Sequence, residues 1–241
     1  MHREAAMNRH KTTARIVGAV YLAGFVVGIV GIKLIESVLG APDHLSTLSA
    51  NSMTLAFAAV LWLMAVVGDA AHGVLMFPVL KPHSERIAVG YLAFRIMDAV
   101  FIAIMVLFVL LQIPLGSAYL STAAPDAPAL QAISTLLLQG QLYAYELGMI
   151  TLGLSGLMLC STLYRAQLVP RWLALWGLVG YAVITVGMVS AIMGSGLGDL
   201  SSYLGGLWEG FIGVWLIVKG FNAPAGVSEA ARVAIAQPSS L

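Results

Sequence analysis

Charge is what this sequence has least of. Charged residues make up 10% of the chain and hydrophobic ones 60%, whereas a typical soluble domain carries about 25% charged residues. Most of the chain therefore cannot form a water-facing surface. The net charge is only +1, and no basic groove or RNA or DNA motif is present, so there is no sign of a nucleic-acid partner. Cys160 is the single cysteine, which removes a disulfide framework and a cysteine-based metal site. No segment alternates apolar and polar residues with a period of two, and the apolar runs are too long for barrel strands, so a β-barrel is excluded. No glycine loop of the phosphate-binding kind lies on a soluble face, and no motif implies a cofactor.

What is present is long apolar runs. Six can be marked, at about Ile16–Ser37, Thr54–Leu80, Ile87–Leu111, Ile133–Leu163, Trp172–Met193 and Leu200–Val218. Each is near or above the roughly 20 residues that a spanning helix needs. Breakers separate them: Gly40-Ala41-Pro42, Lys81-Pro82, Pro125 with Pro128, Pro170, and the glycines from Gly194 to Gly198. The first run is too long for the apolar core of a signal peptide, and it reads as an uncleaved first helix. Met1 and Met7 are alternative starts. The expected fold is all-α, a polytopic six-transmembrane-helix bundle in a lipid bilayer. Residues 1–222 form a single transmembrane domain, and residues 223–241, small and polar with Pro224 and Pro238, form a flexible cytoplasmic tail.

Lysine and arginine orient the bundle. They occur before the first run (Arg3, Arg9, Lys11, Arg15), after the second (Lys81, Arg86), after the fourth (Arg165, Arg171) and in the tail (Lys219, Arg232). The alternate connections, Val38–Met53, Gln112–Ala132 and Gly194–Asp199, have none. The positive-inside rule then places both termini in the cytoplasm, N-in and C-in. Arg15, Arg86 and Arg171 open the three outward-going spans. These hairpins run parallel, so no inverted transporter repeat is visible.

The few charges within the runs carry the functional expectation. A charge at the bilayer centre costs about 2.5–3.5 kcal/mol on insertion scales, and such residues usually face a bundle interior or a watery cavity. Here they are Asp69, His72, Arg95, Asp98, Glu146 and Glu209. At 1.5 Å per residue, Arg95 lies about 12 Å from the cytoplasmic start of its span, Glu146 about 20 Å from the outer start of its own, and Glu209 about 14 Å into the last. Arg95, Asp98, Glu146 and Glu209 are therefore expected in one middle layer, with Asp69 and His72 nearer the cytoplasm and within reach of its water. Arg95 and Asp98 are three apart and share a helix face, as do Asp69 and His72. Gln139, Tyr143, Glu146, Gly153 and Cys160 form a stripe of roughly helical period. Gly205 and Gly213 flank Glu209, where small residues let a neighbouring helix come close. Gly180, Gly187 and Gly194 read as a packing seam.

The acids outnumber the bases. Asp69, Asp98, Glu146 and Glu209 face one permanent cation, Arg95, and one titratable group, His72. All four cannot stay ionised in a medium of low polarity without further partners. Protons, a cation or a basic group on a small-molecule ligand must supply the balance. The bland alternative is that Arg95 and its acids only tie helices together, a modest contribution averaging about 0.6 kcal/mol for polar pairs between membrane helices. Lys33 and Glu36 sit at the end of the first run and read as snorkelling residues. The tryptophans Trp62, Trp172, Trp176, Trp208 and Trp215 read as interface or packing residues.

Two catalytic patterns fail. Gly153-Leu154-Ser155-Gly156 resembles the nucleophile motif of the rhomboid intramembrane proteases, whose histidine base lies on the sixth helix, but the last run here has no histidine. Asp69-x-x-His72 has metal-ligand spacing, but di-metal carboxylate bundles need two such motifs and two further acids. No metal site is assigned.

Three segments together resemble a known family: Asn8-Arg9-His10-Lys11-Thr12-Thr13-Ala14-Arg15-Ile16-Val17-Gly18, Gly90-Tyr91-Leu92-Ala93-Phe94-Arg95-Ile96-Met97-Asp98, and Trp208-Glu209 with Gly213 to Phe221. From Asn8 to Phe221 the chain is similar to a bacterial integral membrane family catalogued as domain of unknown function 4386. The resemblance implies a six-helix bundle in a bacterial cytoplasmic membrane. It brings no established activity and no catalytic roles. The functional expectation is a permease-like or ligand-binding bundle with a protonatable site at Arg95, Asp98, Glu146, Glu209, Asp69 and His72. The alternatives are an intramembrane, metal-assisted enzyme acting on a lipid, and a non-catalytic membrane partner or regulator.

The orientation is open to a direct check. Alkaline phosphatase inserted between Val38 and Met53 is expected to be active, and the same insertion between Lys81 and Arg86 inactive. The reverse pattern would invert the topology.

Overall fold

The computed structural model describes residues 2–41, 43–121 and 127–222, with backbone alone for residues 2–10, 199 and 204. The expected tail, 223–241, lies outside the described residues. Those described form seven α-helices and no strand: α1 His2–Leu39, α2 His44–Leu48, α3 Ser52–Leu80, α4 Glu85–Ser121, α5 Ala127–Arg165, α6 Arg171–Ile192 and α7 Gly198–Val218. All but the short α2 are long and apolar enough to cross a membrane. Hydrocarbon offers backbone N–H and C=O groups no partner, so a long apolar run satisfies them internally by winding into a helix. The all-α six-helix expectation therefore holds. The five-residue α2, between the first two spans, was not foreseen.

α4 has 37 residues and α5 has 39. At 1.5 Å per residue both exceed 50 Å, against a hydrocarbon core of about 30 Å, so tilt or projection beyond the core takes up the surplus. Three of the described turns are tight. The α3–α4 turn closes with Ser84 N–H donating to the Leu80 carbonyl (3.1 Å). Gln167 adopts φ 53° between α5 and α6. Gly194, at φ 92°, ends α6, where the Ser195 N–H returns to the Ser190 carbonyl at 3.0 Å. That bond is the wrap of a helix C-terminus around a left-handed glycine. Gly194 is thus a helix stop, not the third member of a packing seam. Gly180 and Gly187 do pack, against Gly205 and Ser201 of α7.

The main interfaces make a ring. α1 packs on α3, α3 on α4, α4 on α5, α5 on α6, α6 on α7, and α7 returns to α1. Gly18 and Gly213 form the closing contact: a Cβ on Gly18 would meet the Gly213 carbonyl oxygen at 2.5 Å, so only a residue without a side chain lets the first and last helices meet there. The first part of α1 and the segment after α7 lie on one face, with Ala14 beside Gly220 and Asn222 donating to the Gln167 and Leu168 carbonyls. The largest core cluster draws on all six spans, with Tyr21, Met76, Tyr91, Leu159, Tyr181 and Trp208 among its members. The outward faces carry Val26, Val67, Leu136, Val186 and Leu207, an apolar rim of the kind a bilayer covers. Lys33 and Glu36, at the end of α1, are exposed and pair with each other at 2.7 Å.

Glycine sets the fit between α5 and α6. A Cβ on Gly156 would overlap the ring of the buried Tyr181, while nothing lies within 4 Å of one on Gly24. Gly156→Ala is expected to lower stability by about 1–3 kcal/mol through overpacking, and Gly24→Ala to change it little. Thermal unfolding in detergent checks the pair.

Candidate functional site: a charge centre inside the ring

Arg95 is the hub. It sits on α4 at 4% exposure, held between two carboxylates. One guanidinium nitrogen donates to Asp69 Oδ1 across the α3–α4 interface, and the other lies 3.5 Å from Asp98 Oδ2, three residues along its own helix. Asp98 is 1% exposed, and Gly148 of α5 lies beside it: a Cβ there would come within 3.4 Å of Asp98 Oδ1. Asp69 is the more open partner, with 27% of its side chain accessible.

Asp69 therefore belongs to the same level as Arg95. It was expected nearer the cytoplasm, but it stands eleven residues before the end of α3 and Arg95 ten residues after the start of α4. Because antiparallel neighbours match in depth when they are equally far from their shared turn, the pair is level. His72, three residues on, is 1% exposed, which removes the expected contact with cytoplasmic water. Asp69 and His72 share a face but have separate partners: His72 Nδ1 shares a hydrogen bond with the Tyr91 hydroxyl.

Aromatic rings enclose the centre. Tyr21 of α1 meets the His72 ring edge-on with centroids 4.2 Å apart, and Trp208 of α7 lies edge-on to Tyr21 and to Tyr181 of α6. Trp208 is a packing residue, as expected: it is 1% exposed, and its Nε1 donates to the Leu173 carbonyl at 2.7 Å. Next to it in sequence, Glu209 accepts a hydrogen bond from the Tyr181 hydroxyl at 2.7 Å. The direct partners of Arg95 are Asp69 and Asp98, and Glu209 is tied to the aromatic shell through Tyr181. α3 and α4 thus contribute the carboxylates paired with Arg95, α7 adds Glu209 through Tyr181, and α1, α4 and α6 contribute tyrosines.

Glu146 is half-buried on α5, two residues before Gly148, with one carboxylate oxygen shielded. The outer part of its expected stripe faces outward: Gln139 and Tyr143 are exposed, and only Gly153 and Cys160 are buried. Gly205 and Gly213 serve different neighbours, Gly205 packing on α6 and Gly213 on α1, with Glu209 between them. Among the described residues, no three His, Cys, Asp or Glu side chains converge on a metal-binding position. Two polar atoms of the centre, Arg95 Nε and His72 Nε2, are buried without a hydrogen-bond partner among those residues.

Sequence reasoning missed the tyrosines. Tyr91, Arg95 and Asp98 follow the i, i+4, i+7 pattern of one helix face, a signal that was there to be read. Tyr181 lies in a span with no charge, and nothing local marks it.

A protein-family model described as "Domain of unknown function (DUF4386)" matches residues 16–220. A search of curated proteins and a search of solved structures each returned no match.

Removing the hub strands its partners. Arg95→Met is expected to destabilise the fold by about 3–5 kcal/mol, because it leaves buried carboxylates uncompensated. Adding Asp69→Asn and Asp98→Asn to Arg95→Met is expected to recover much of that loss. Unfolding of the two variants in one detergent checks the order.

Proposed function

We propose that this chain, which belongs to the family described as domain of unknown function DUF4386, is a permease-like or ligand-binding membrane protein with a protonatable site at Arg95. The observation that carries the reading is the charge inventory of the centre. Asp69 and Asp98 pair with one guanidinium, and Glu209 stands in the aromatic shell around it, bonded to Tyr181. Three carboxylates less one guanidinium leave two negative charges, and still one if His72 is protonated. In a medium of low polarity that excess has to be met by protons, a cation or a basic group on a ligand. A purely structural tie would need only one acid for one arginine.

The roles follow from position. Asp69, the most accessible of the acids on Arg95, is where a proton or cation enters. Glu209, with Tyr181 on one oxygen, and the half-buried Glu146 of α5 carry the exchangeable charge. Arg95 sets the balance, and its unpartnered Nε is a donor for an anionic group on the ligand. The distribution of lysine and arginine supports a cytoplasmic membrane with both termini inside, and the bacterial setting rests on the resemblance. The metal-assisted enzyme has less support, because Asp69 and His72 turn to different partners.

Proteoliposomes with an entrapped pH dye test the reading. After an imposed pH step, the wild-type protein is expected to speed equilibration, with the rate falling about tenfold in Glu209→Gln and Glu146→Gln, as for loss of a group that carries the proton. If neither variant alters proton flux or pH-dependent ligand binding, the assignment fails.

A further inference from the structure

A second polar cluster lies at the end of the bundle opposite the α3–α4 and α5–α6 turns, away from the charge centre. His44 opens α2. Its Nδ1 lies 3.1 Å from the Ala41 carbonyl oxygen and its Nε2 lies 2.8 Å from Ser134 Oγ of α5. Ser134 Oγ donates to Gln112 Oε1 of α4 at 2.9 Å, and Gln112 Nε2 donates back to the Ser134 carbonyl at 3.2 Å. Ser134 is 1% exposed and Gln112 0%. Leu45 and Leu48 of α2 are buried, and Leu48 packs into the space that Gly116 of α4 leaves open. α2 is therefore a plug seated on α4 and pinned to α5 through one imidazole.

Counting hydrogens decides the charge of that imidazole. The Ala41 oxygen is an acceptor, so Nδ1 must carry a proton to bond it. Ser134 has one hydroxyl hydrogen, which goes to Gln112 Oε1. The amide cannot be reversed to accommodate it otherwise, because its nitrogen is needed at the Ser134 carbonyl. Nε2 must then donate to Ser134 Oγ as well. A neutral imidazole has one N–H and leaves two lone pairs facing each other at one of these contacts. Only the imidazolium, with both nitrogens as donors, fills the whole chain.

We propose that His44, Ser134 and Gln112 form a proton-operated latch, which holds α2 against α4 and α5 when His44 is protonated and loosens when it is neutral. The surrounding groups are compatible with a cation. On its own segment, Asp43 is adjacent and accepts from Ser46 Oγ at 2.8 Å. From α1, Lys33 and Glu36 neutralise each other. From residue 99 to the end of α4, and on α5 before Glu146, the sequence has no charged residue and only the tyrosines Tyr119, Tyr143 and Tyr145; α3 has no charge before Asp69. Asp126 lies outside the described residues. The sign is direct. Protonation adds a hydrogen bond to the closed form, so the latch is shut at low pH and opens as the pH rises.

Electron spin labels on Thr47→Cys, exposed on α2, and Leu136→Cys, exposed on α5, read the separation in the full chain in nanodiscs, with Cys160 left in its buried place. At about pH 5 one narrow distance is expected. By about pH 8 a longer-distance population should rise about fivefold, the shift that one net hydrogen bond supports. His44→Gln and Ser134→Ala, made in the labelled chain, should each lose that response to pH. A wild-type distribution that is the same at both pH values overturns the latch. So does an unchanged pH response in His44→Gln, which would place the titrating group elsewhere.

Discussion

Hydrocarbon offers no hydrogen-bond partner, and the rest of this structure follows from that. A soluble bundle can leave a charge on its rim. A helix in a bilayer has to turn its polar side chains inward, and six such helices hide them fully only if the row closes on itself. Closure rests on the meeting of α1 and α7, which Gly18 and Gly213 permit by lacking side chains. With the ring shut, Tyr21, His72, Tyr91, Arg95, Asp98, Tyr181 and Trp208 come to its interior from five of the six spans, and all are buried.

The interior has an internal hierarchy. The Arg95 pairs involve full charges in a poorly screened setting, so their partnership is costly to break and gives little net gain over an apolar replacement of both sides. That asymmetry favours retaining such a group for what it does more than for stability alone. The aromatic shell works differently. Its edge-on contacts, each about 0.5–1.5 kcal/mol beyond area burial, hold the rings at fixed angles. They place the Tyr181 and Tyr91 hydroxyls where Glu209 and His72 can use them. The polar centre is thus positioned by packing that is mostly apolar.

The spans, their all-helical character and the charges of the Arg95 pairs were legible in the sequence, because run length and an intramembrane charge are strong local signals. Depth was less so. Asp69 was placed too near the cytoplasm because its depth was not measured from the turn it shares with Arg95; eleven residues to Leu80 and ten from Glu85 put the two level. The stripe through Gln139 and Tyr143 failed for another reason. Residues spaced at three, four and seven drift around a long helix, and α5 changes neighbours along its 39 residues. Tyr181 and the His44–Ser134–Gln112 chain were not legible at all. Each depends on contacts between elements distant in sequence, and serine, glutamine and tyrosine are ordinary enough in membrane helices to carry no alarm.

The order of contacts around the ring bears on how the molecule is assembled. Each major interface between spans joins helices consecutive in the chain, except the one between α1 and α7. As the chain is inserted from its N-terminus, each new span can dock on the one before it, but the seam has to wait for the last. Until α7 arrives, α1 lacks its final neighbour, and the Tyr21 and His72 side of the interior lacks Trp208. Glu209, the acid bonded to Tyr181, is also the last to be delivered. The charge centre is therefore incomplete throughout biogenesis and acquires its full set of carboxylates in the same event that seals it from the lipid.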